Sequence, residues 1–374
     1  MNAHTFAILA FVAVIFSTAS AGADDANAKP LRLGVAGLTH THVHAVLNRA
    51  HDPDVELVGI AEANGELADR FLKQHALDRS LVYPTLNELL DATQPEAVAA
   101  FGSIYEHLAV VEACAPRGIH VMVEKPLAVS GKHAERMATL ARKHGVLLLT
   151  NYETTWYGSN HELYDRVLNQ GQVGTLRKLV VHDGHRGPIE IGCNAEFLEW
   201  LTDPVQNGGG AITDFGCYGA NLATWLMQNK RPRSVTAVTQ QLKPDKYPHV
   251  DDEATILLTY PSAQMVIQAS WNWPFSRKDL HAYGADGYVK TIDGSEMRIR
   301  LSEQATEEAV TAPPLIEPRH DPFAYFRAAV RGELDASTGL SSLANNLIVV
   351  EILDAARRSA REGVVVEIGA AGGE

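Results

Sequence analysis

Apolar residues along this chain fall into two textures. Up to about residue 152, short apolar runs alternate with longer stretches whose apolar positions recur at helical spacing. The runs Leu31–Ala36, Val55–Glu62, Ala97–Phe101, His120–Glu124 and Val146–Asn151 predict strands. Gly65–Leu77, Leu86–Ala92, His107–Arg117 and Lys132–His144 predict the helices between them, with Gly118 and Gly145 where helix C-caps belong. Strand–helix–strand repetition at this spacing requires a parallel sheet, since each crossover must pass over one of its faces. Residues 30–151 therefore read as a doubly wound α/β domain.

Beyond Asn151 the strand-like runs lengthen: Leu176–His182, Ser234–Gln241, Ala254–Tyr260, Gln264–Trp271, Leu280–Tyr283 and Met297–Leu301. Turn signals such as Tyr260-Pro261-Ser262-Ala263 and Ala285-Asp286-Gly287 make several of them antiparallel neighbours. Helices are expected at Asn160–Asn169, Asp214–Met227, Pro322–Arg331 and Ser341–Arg361, the last stopped by Gly363 before a strand at Val364–Ile368. Residues 152–374 thus read as an α+β domain around one large, mostly antiparallel sheet.

The amino terminus is different again. An unbroken apolar run, Phe6–Phe16, precedes Ser17-Thr18-Ala19-Ser20-Ala21, a small-residue cleavage pattern. The run is too short to span a bilayer, and no twin-arginine pair precedes it. Residues 1–21 are therefore expected to be a Sec-type signal peptide, leaving an exported, periplasmic or secreted chain with no membrane segment. Composition adds a soluble globular character, with 46% hydrophobic and 21% charged residues, and a net charge of −13 that disfavours nucleic acid and anionic membranes. Cys114, Cys193 and Cys217 are too few for a disulfide framework. A single Cys193–Cys217 bridge is the pairing left open.

Three segments carry chemistry. Glu124-Lys125-Pro126 closes a predicted strand at the carboxyl edge of the parallel sheet, where such sheets bind cofactors. A lysine there can polarise a carbonyl, and the proline can hold a cis bond that sets its direction. Gly37-Leu38-Thr39-His40-Thr41-His42 occupies the place of a G-x-G-x-x-G dinucleotide fingerprint, with only the first glycine kept. Thr39 and Thr41 hydroxyls and neutral His40 and His42 are available there as phosphate donors. Glu62, closing the next strand, suits a ribose diol and favours NAD over NADP. His40, His42 and His44 raise a metal site, but no further ligand lies nearby in sequence, so no metal is predicted. Finally, Gly208-Gly209-Gly210 precedes Asp214 and Tyr218, which one helical turn would place on one face. A phenol ionising near pH 10 needs a neighbouring cation, expected to be Lys125 together with a nicotinamide that is cationic when oxidised, to work at neutral pH.

Together these segments resemble the Gfo/Idh/MocA family of oxidoreductases, over nearly all of the chain after residue 21. The resemblance rests on Val123-Glu124-Lys125-Pro126-Leu127-Ala128, the triple glycine leading to Asp214, Val250-Asp251-Asp252 and Ser359-Ala360-Arg361-Glu362-Gly363. It implies a Rossmann domain, an NAD or NADP cofactor contacted also by Glu124, and a sugar or polyol substrate. It further implies a homodimer or homotetramer packed through an open-faced sheet. Lys125, Asp214 and Tyr218 match the family's catalytic positions, with tyrosine where many members carry histidine. The chain departs from the pattern in the glycine loop, and at Asn151–Trp156, which lacks an arginine common in the family. His182, Asp183, His185 and Arg186, with Trp271, are expected to line the substrate cleft. Two other readings remain open: NAD-dependent redox-assisted cleavage of glycosides, and a sugar-binding protein that no longer takes a cofactor.

Overall fold

The computed structural model describes residues 29–49 and 52–369, so the expected signal segment lies outside the described residues. Strands β1 (Leu31–Ala36), β2 (Val55–Ala61), β3 (Val82–Tyr83), β4 (Ala97–Ala100), β5 (His120–Glu124) and β6 (Leu148–Asn151) form one parallel sheet. Its order is β3-β2-β1-β4-β5-β6, so the chain reverses direction between β1 and β4 and opens a crevice there. Helices α1 (His44–Leu47), α2 (Gly65–His75), α3 (Leu86–Thr93), α4 (His107–Cys114) and α5 (Gly131–His144) make the connections. Local sequence sets their ends. Asn64 and Ser130 cap α2 and α5, Thr85 and Glu88 form a capping box on α3, and Gly145 closes α5 at φ 65°. All four residues of β4 are buried, as expected of a strand covered on both sides.

The remaining strands are β7 (Lys178–Gly184), β8 (Ser234–Gln240), β9 (Glu253–Thr259), β10 (Gln264–Ser270), β11 (Arg277–Tyr283), β12 (Tyr288–Thr291), β13 (Glu296–Arg300), β14 (Glu308–Thr311) and β15 (Val366–Glu367). They form a second sheet in the order β14-β13-β12-β11-β7-β10-β9-β8-β15, with only the β7–β10 pair parallel. Helices α6 (Gly158–Tyr164), α7 (Ala195–Leu201), α8 (Ala211–Asp214), α9 (Gly216–Leu226), α10 (Pro322–Val330) and α11 (Leu343–Glu362) accompany it. Helix α9 packs on β7 and β10, with Gly219 so close to Ile267 that a Cβ there would sit 2.4 Å from its Cγ2.

Several expectations are adjusted. The helix expected at Asn160–Asn169 ends at Tyr164 and continues as a π turn over Asp165–Asn169. Short β3, β12 and β14 and helix α7 carry too little periodic pattern to stand out in the sequence. Helix α10 returns to the first sheet: Phe323 and Phe326 pack in one cluster with Leu31, Leu33 and Val55. Arg331, just after it, pairs with Glu96 at 2.6 Å. Position 152 thus separates the two sheets in sequence, while the C-terminal segment packs on both. All three cysteines are free thiols, so the Cys193–Cys217 bridge does not form.

Candidate active site

Lys125 follows β5 through a cis Lys125–Pro126 bond and reaches across to Asp214, which ends α8. Its Nζ lies 2.5 Å from Asp214 Oδ1 and 3.1 Å from the Asp214 carbonyl oxygen. Trp271 Nε1–H donates to the other carboxylate oxygen at 2.9 Å. The glycine segment holds Asp214 in place. Asp251 accepts from the Gly210 and Ile212 amides at 2.8 and 2.7 Å, and a Cβ on Gly210 would fall 1.8 Å from the Asp251 carbonyl oxygen. The expected continuous helix breaks at Phe215, and Tyr218 stands on α9 with its ring 5.2 Å from Lys125 Nζ and 4.9 Å from Lys278 Nζ.

The three groups are nearly closed off, at 6% exposure for Lys125, 4% for Asp214 and 2% for Tyr218. Burial disfavours both charges of the pair, yet each partner more than offsets it: Lys125 is held above its ordinary range and Asp214 below. Tyr218 behaves otherwise than expected. Burial, reinforced by Glu153, Cys217 and Asp214, pushes its hydroxyl well above the ordinary range. Lys125 faces the Tyr218 ring and is committed to Asp214, so it does not make the phenol acidic. At neutral pH the Tyr218 hydroxyl therefore keeps its proton.

The crevice between β1 and β4 forms a cleft of about 410 Å³ lined by Gly37, Thr39, Glu62, Gly102 and Glu106. Gly37 has φ 82°, and a Cβ there would meet the Gly102 nitrogen at 2.9 Å. Glu62 stands at the rim, its two oxygens accepting from the Leu38 and Asn64 amides at 3.0 and 2.9 Å. Burial raises its pKa while those amides act against the rise. A glycine cradle with a fixed carboxylate across it fits the adenosine ribose end of a dinucleotide. Thr39 lines this cleft, whereas Thr41 and His42 line a second one of about 370 Å³, with Asn151, Glu153 and Trp156. A larger cavity, about 660 Å³, lies on the other side of Trp156 and includes none of Lys125, Asp214 and Tyr218 in its walls.

His40 is buried, packed against Phe197 and Trp200 of α7, and burial holds its pKa well below the ordinary range. Glu124 is buried beside it and accepts from His42 Nδ1 at 2.9 Å and Asn151 Nδ2 at 2.8 Å. His40, His42 and Glu124 thus converge, their ligand atoms within 4.8 Å, although 82 residues separate His42 from Glu124. Sequence distance concealed that third group.

Of the expected substrate contacts, the structure brings His185 and Asp183 to the site. His185 lies edge-on to Phe215 at 4.9 Å and close enough to Asp214 to feel its charge. Arg186 is exposed, and its carbonyl oxygen is held by Lys243. His182 is a correction: it projects from the opposite face of β7 and pairs with Asp279 at 2.8 Å. Strand alternation explains this, since Asp183 shares its face with its cross-strand partner Lys278, which reaches Tyr218. Trp271 is the second correction. Fully buried and bonded to Asp214, it has no face free for a sugar ring and serves to aim the carboxylate. Trp271→Phe is expected to lower Asp214's hold on Lys125 and cost about 1.5–3 kcal/mol of stability, measured by denaturant unfolding. A variant as stable as wild type would show that the bond contributes nothing.

Lys278 and Glu153 are site residues that sequence reasoning did not single out, whereas Asp183 was expected there beside His182 and His185. Asp183 is fully buried with neither carboxylate oxygen bonded, and burial raises its pKa well above the ordinary range. Lys278 bonds Glu153, which also accepts from Tyr157 at 2.5 Å.

A parallel sheet with a dinucleotide crevice, joined to a second domain whose helix α8 supplies an aspartate to the lysine at the sheet's edge, defines an NAD-binding oxidoreductase class. Residues 31–152 match the model of the oxidoreductase family with an NAD-binding Rossmann fold, and residues 162–290 match the GFO/IDH/MocA C-terminal domain. The chain belongs to the Gfo/Idh/MocA family. Its relatives include a trans-1,2-dihydrobenzene-1,2-diol dehydrogenase from Xenopus tropicalis, 27% identical over 58% of this chain and 61% of that one. The match therefore spans about three-fifths of that dehydrogenase. A dTDP-3,4-didehydro-2,6-dideoxy-alpha-D-glucose 3-reductase from Streptomyces antibioticus is 27% identical over 77% of this chain and 79% of its own. Among solved structures, an inositol dehydrogenase homolog from Azotobacter vinelandii complexed with NAD+ superimposes with a TM-score of 0.79 at 18% identity. That comparison covers 91% of this chain and 98% of the other. An aldose-aldose oxidoreductase from Caulobacter crescentus complexed with glycerol gives 0.74 at 21% identity, over 90% and 100%. At these identities the structures establish the fold.

Proposed function

We propose that this chain is an exported NAD-dependent oxidoreductase acting on a hydroxyl or carbonyl of a sugar- or polyol-like substrate. The observation that carries the reading is the buried Lys125–Asp214 pair at the edge of the Rossmann sheet, with the neutral Tyr218 hydroxyl-bearing ring beside it. When bound, the dinucleotide supplies hydride transfer at its nicotinamide. Gly37, Thr39 and Glu62 would hold its adenosine half. Lys125 would polarise the substrate oxygen, Asp214 would fix the lysine, and Tyr218 would donate a proton in the reductive direction. His185 lies where it can touch the substrate. Export rests on residues 1–21 alone. A homodimer or homotetramer is part of the same reading, as the family implies.

Calorimetry with NAD+ and NADP+, followed by a panel of aldoses and polyols read by nicotinamide absorbance, tests it. NAD+ is expected to bind saturably, and Glu62→Ala to weaken it about 10- to 100-fold, as loss of bonds to a charged group requires. No binding at millimolar cofactor would remove the reading and favour a sugar-binding role. Product formed without net NADH would indicate redox-assisted cleavage instead.

A further inference from the structure

The 660 Å³ cavity beyond Trp156 takes no part in the chemistry above. Its walls come from α6, the end of α9, the segment leading into α10 and the loop before α11. We propose that this cavity is a second ligand site, which binds a mono- or disaccharide by its ring face and its hydroxyls. Its volume falls within the about 300–1,000 Å³ usual for small-molecule sites.

Two aromatic pairs from different parts of the chain border it. Tyr164 of α6 stacks on Trp225 of α9, with centroids 4.3 Å and planes 23° apart. Trp156 meets Tyr325 of α10 edge to face at 5.5 Å. The Trp156 indole N–H is already given to Asn151, so what this residue offers the cavity is a ring. A pyranose carries C–H bonds on its faces and hydroxyls around its edge. The C–H faces suit aromatic rings, whose own faces are negative. The edge needs donors and acceptors.

Those are present. Thr155 and Ser341 line the cavity, at 6% and 2% exposure, and neither hydroxyl has a hydrogen-bond partner among the described residues. Buried hydroxyls are normally bonded, so two left over on one cavity call for a polar ligand. Gln228 and Asn229 add neutral amides. The charged side chains in the walls are one of each sign, Arg319 and Asp335, both exposed. Burial holds His161 below its ordinary range, so it adds no charge at neutral pH. Such walls suit an uncharged, hydroxyl-rich ligand. A nucleotide's phosphates would require a cluster of basic groups.

The cavity is preformed. The Thr150 N–H donates to the Ser341 carbonyl oxygen at 3.0 Å, and the Asn221 and Asn346 side chains donate to that of Leu340 at 2.8 and 2.9 Å. Buried bonds thus fix the loop that carries Ser341, which lowers the cost of ordering the site around a ligand. Trp225 also stands on the same helix as Tyr218, about two turns further along α9. The sugar site is therefore separate from the Lys125–Asp214 pair but shares a rigid element with it.

Maltose, glucose and AMP titrated into the full chain, with and without NAD+, test the proposal by calorimetry and tryptophan fluorescence. Saturable binding of maltose or glucose at millimolar concentration is expected in both conditions, with a fluorescence change from Trp156 and Trp225. Thr155→Val/Ser341→Ala removes both hydroxyls and nearly keeps their shape. It is expected to weaken that binding about tenfold or more without lowering the unfolding midpoint, since neither hydroxyl bonds within the protein. Trp225→Phe keeps a ring against Tyr164 and is expected to weaken binding too, which decides the matter should the double variant fail to fold. Sugar binding unchanged in these variants, AMP bound in preference, or no sugar bound at millimolar concentration overturns the proposal. Turnover on the sugar and polyol panel is expected to stay near wild type in the double variant. Loss of the cavity site and failure of the NAD-dependent reading are thereby told apart.

Discussion

Lys125→Met is expected to reduce turnover by about 10³-fold or more while NAD+ affinity changes little. The ammonium is paired with Asp214 beside Tyr218, and methionine keeps its length without its charge. Groups aimed at developing charge in a dry site are commonly worth about 10²- to 10³-fold each, and this lysine also locks Asp214. The substitution has a second consequence. Asp214 is left buried with only Trp271 as a side-chain donor, and breaking a buried ion pair costs about 3–5 kcal/mol. Lys125→Met/Asp214→Asn separates the two effects, because it removes the stranded charge. Its expected outcome is recovered stability in denaturant unfolding with turnover still lost. Turnover near wild type in either variant would remove Lys125 from the chemistry.

The same pair sets a pH window. Asp214 is depressed, so its contribution to stability is full above its unfolded pKa and is lost as pH falls through the folded value. Lys125 is raised, so its contribution is full below its unfolded pKa and is lost as pH rises through the folded value. The pair therefore stabilises the protein across the neutral range.

Gly37→Ala is expected to abolish or strongly weaken dinucleotide binding. At φ 82° an L side chain costs about 1–2 kcal/mol. Its Cβ would also stand 2.9 Å from the Gly102 nitrogen and 3.0 Å from the Gly102 Cα, backbone atoms that cannot rotate aside. Relief requires the ends of β1 and β4 to part. The expected result is a rise in Kd for NAD+ of about tenfold or more, with lower thermal stability, read by calorimetry and by melting. Unchanged affinity would place the cofactor elsewhere than this crevice.

Much of the architecture was legible because β1, β4, β5 and β6 are buried along nearly their whole length and so read as apolar runs, bounded by capping residues such as Thr85 and Gly145. Position along the sheet then put Lys125, Gly37 and Glu62 at one edge. The second sheet was less legible. β12 and β14 are short and half-exposed, and β7 runs from Lys178 to Gly184, two residues beyond the expected His182. That extension makes Asp183 a strand residue on the face toward Tyr218, while His182 faces the other way to Asp279.

The sequence by itself determined the order of elements, the family, and the chemical types of Lys125, Asp214 and Tyr218, because those follow from local periodicity and short motifs. Only the tertiary structure decided what each group does. Whether a tyrosine is acidic or neutral depends on burial and on the carboxylates around it, and these come from distant segments. Whether His42 meets a carboxylate depends on Glu124, brought to it by the parallel pairing of β1, β4 and β5. Protonation is set by neighbours in space, and a chain's neighbours in space are fixed only when it folds.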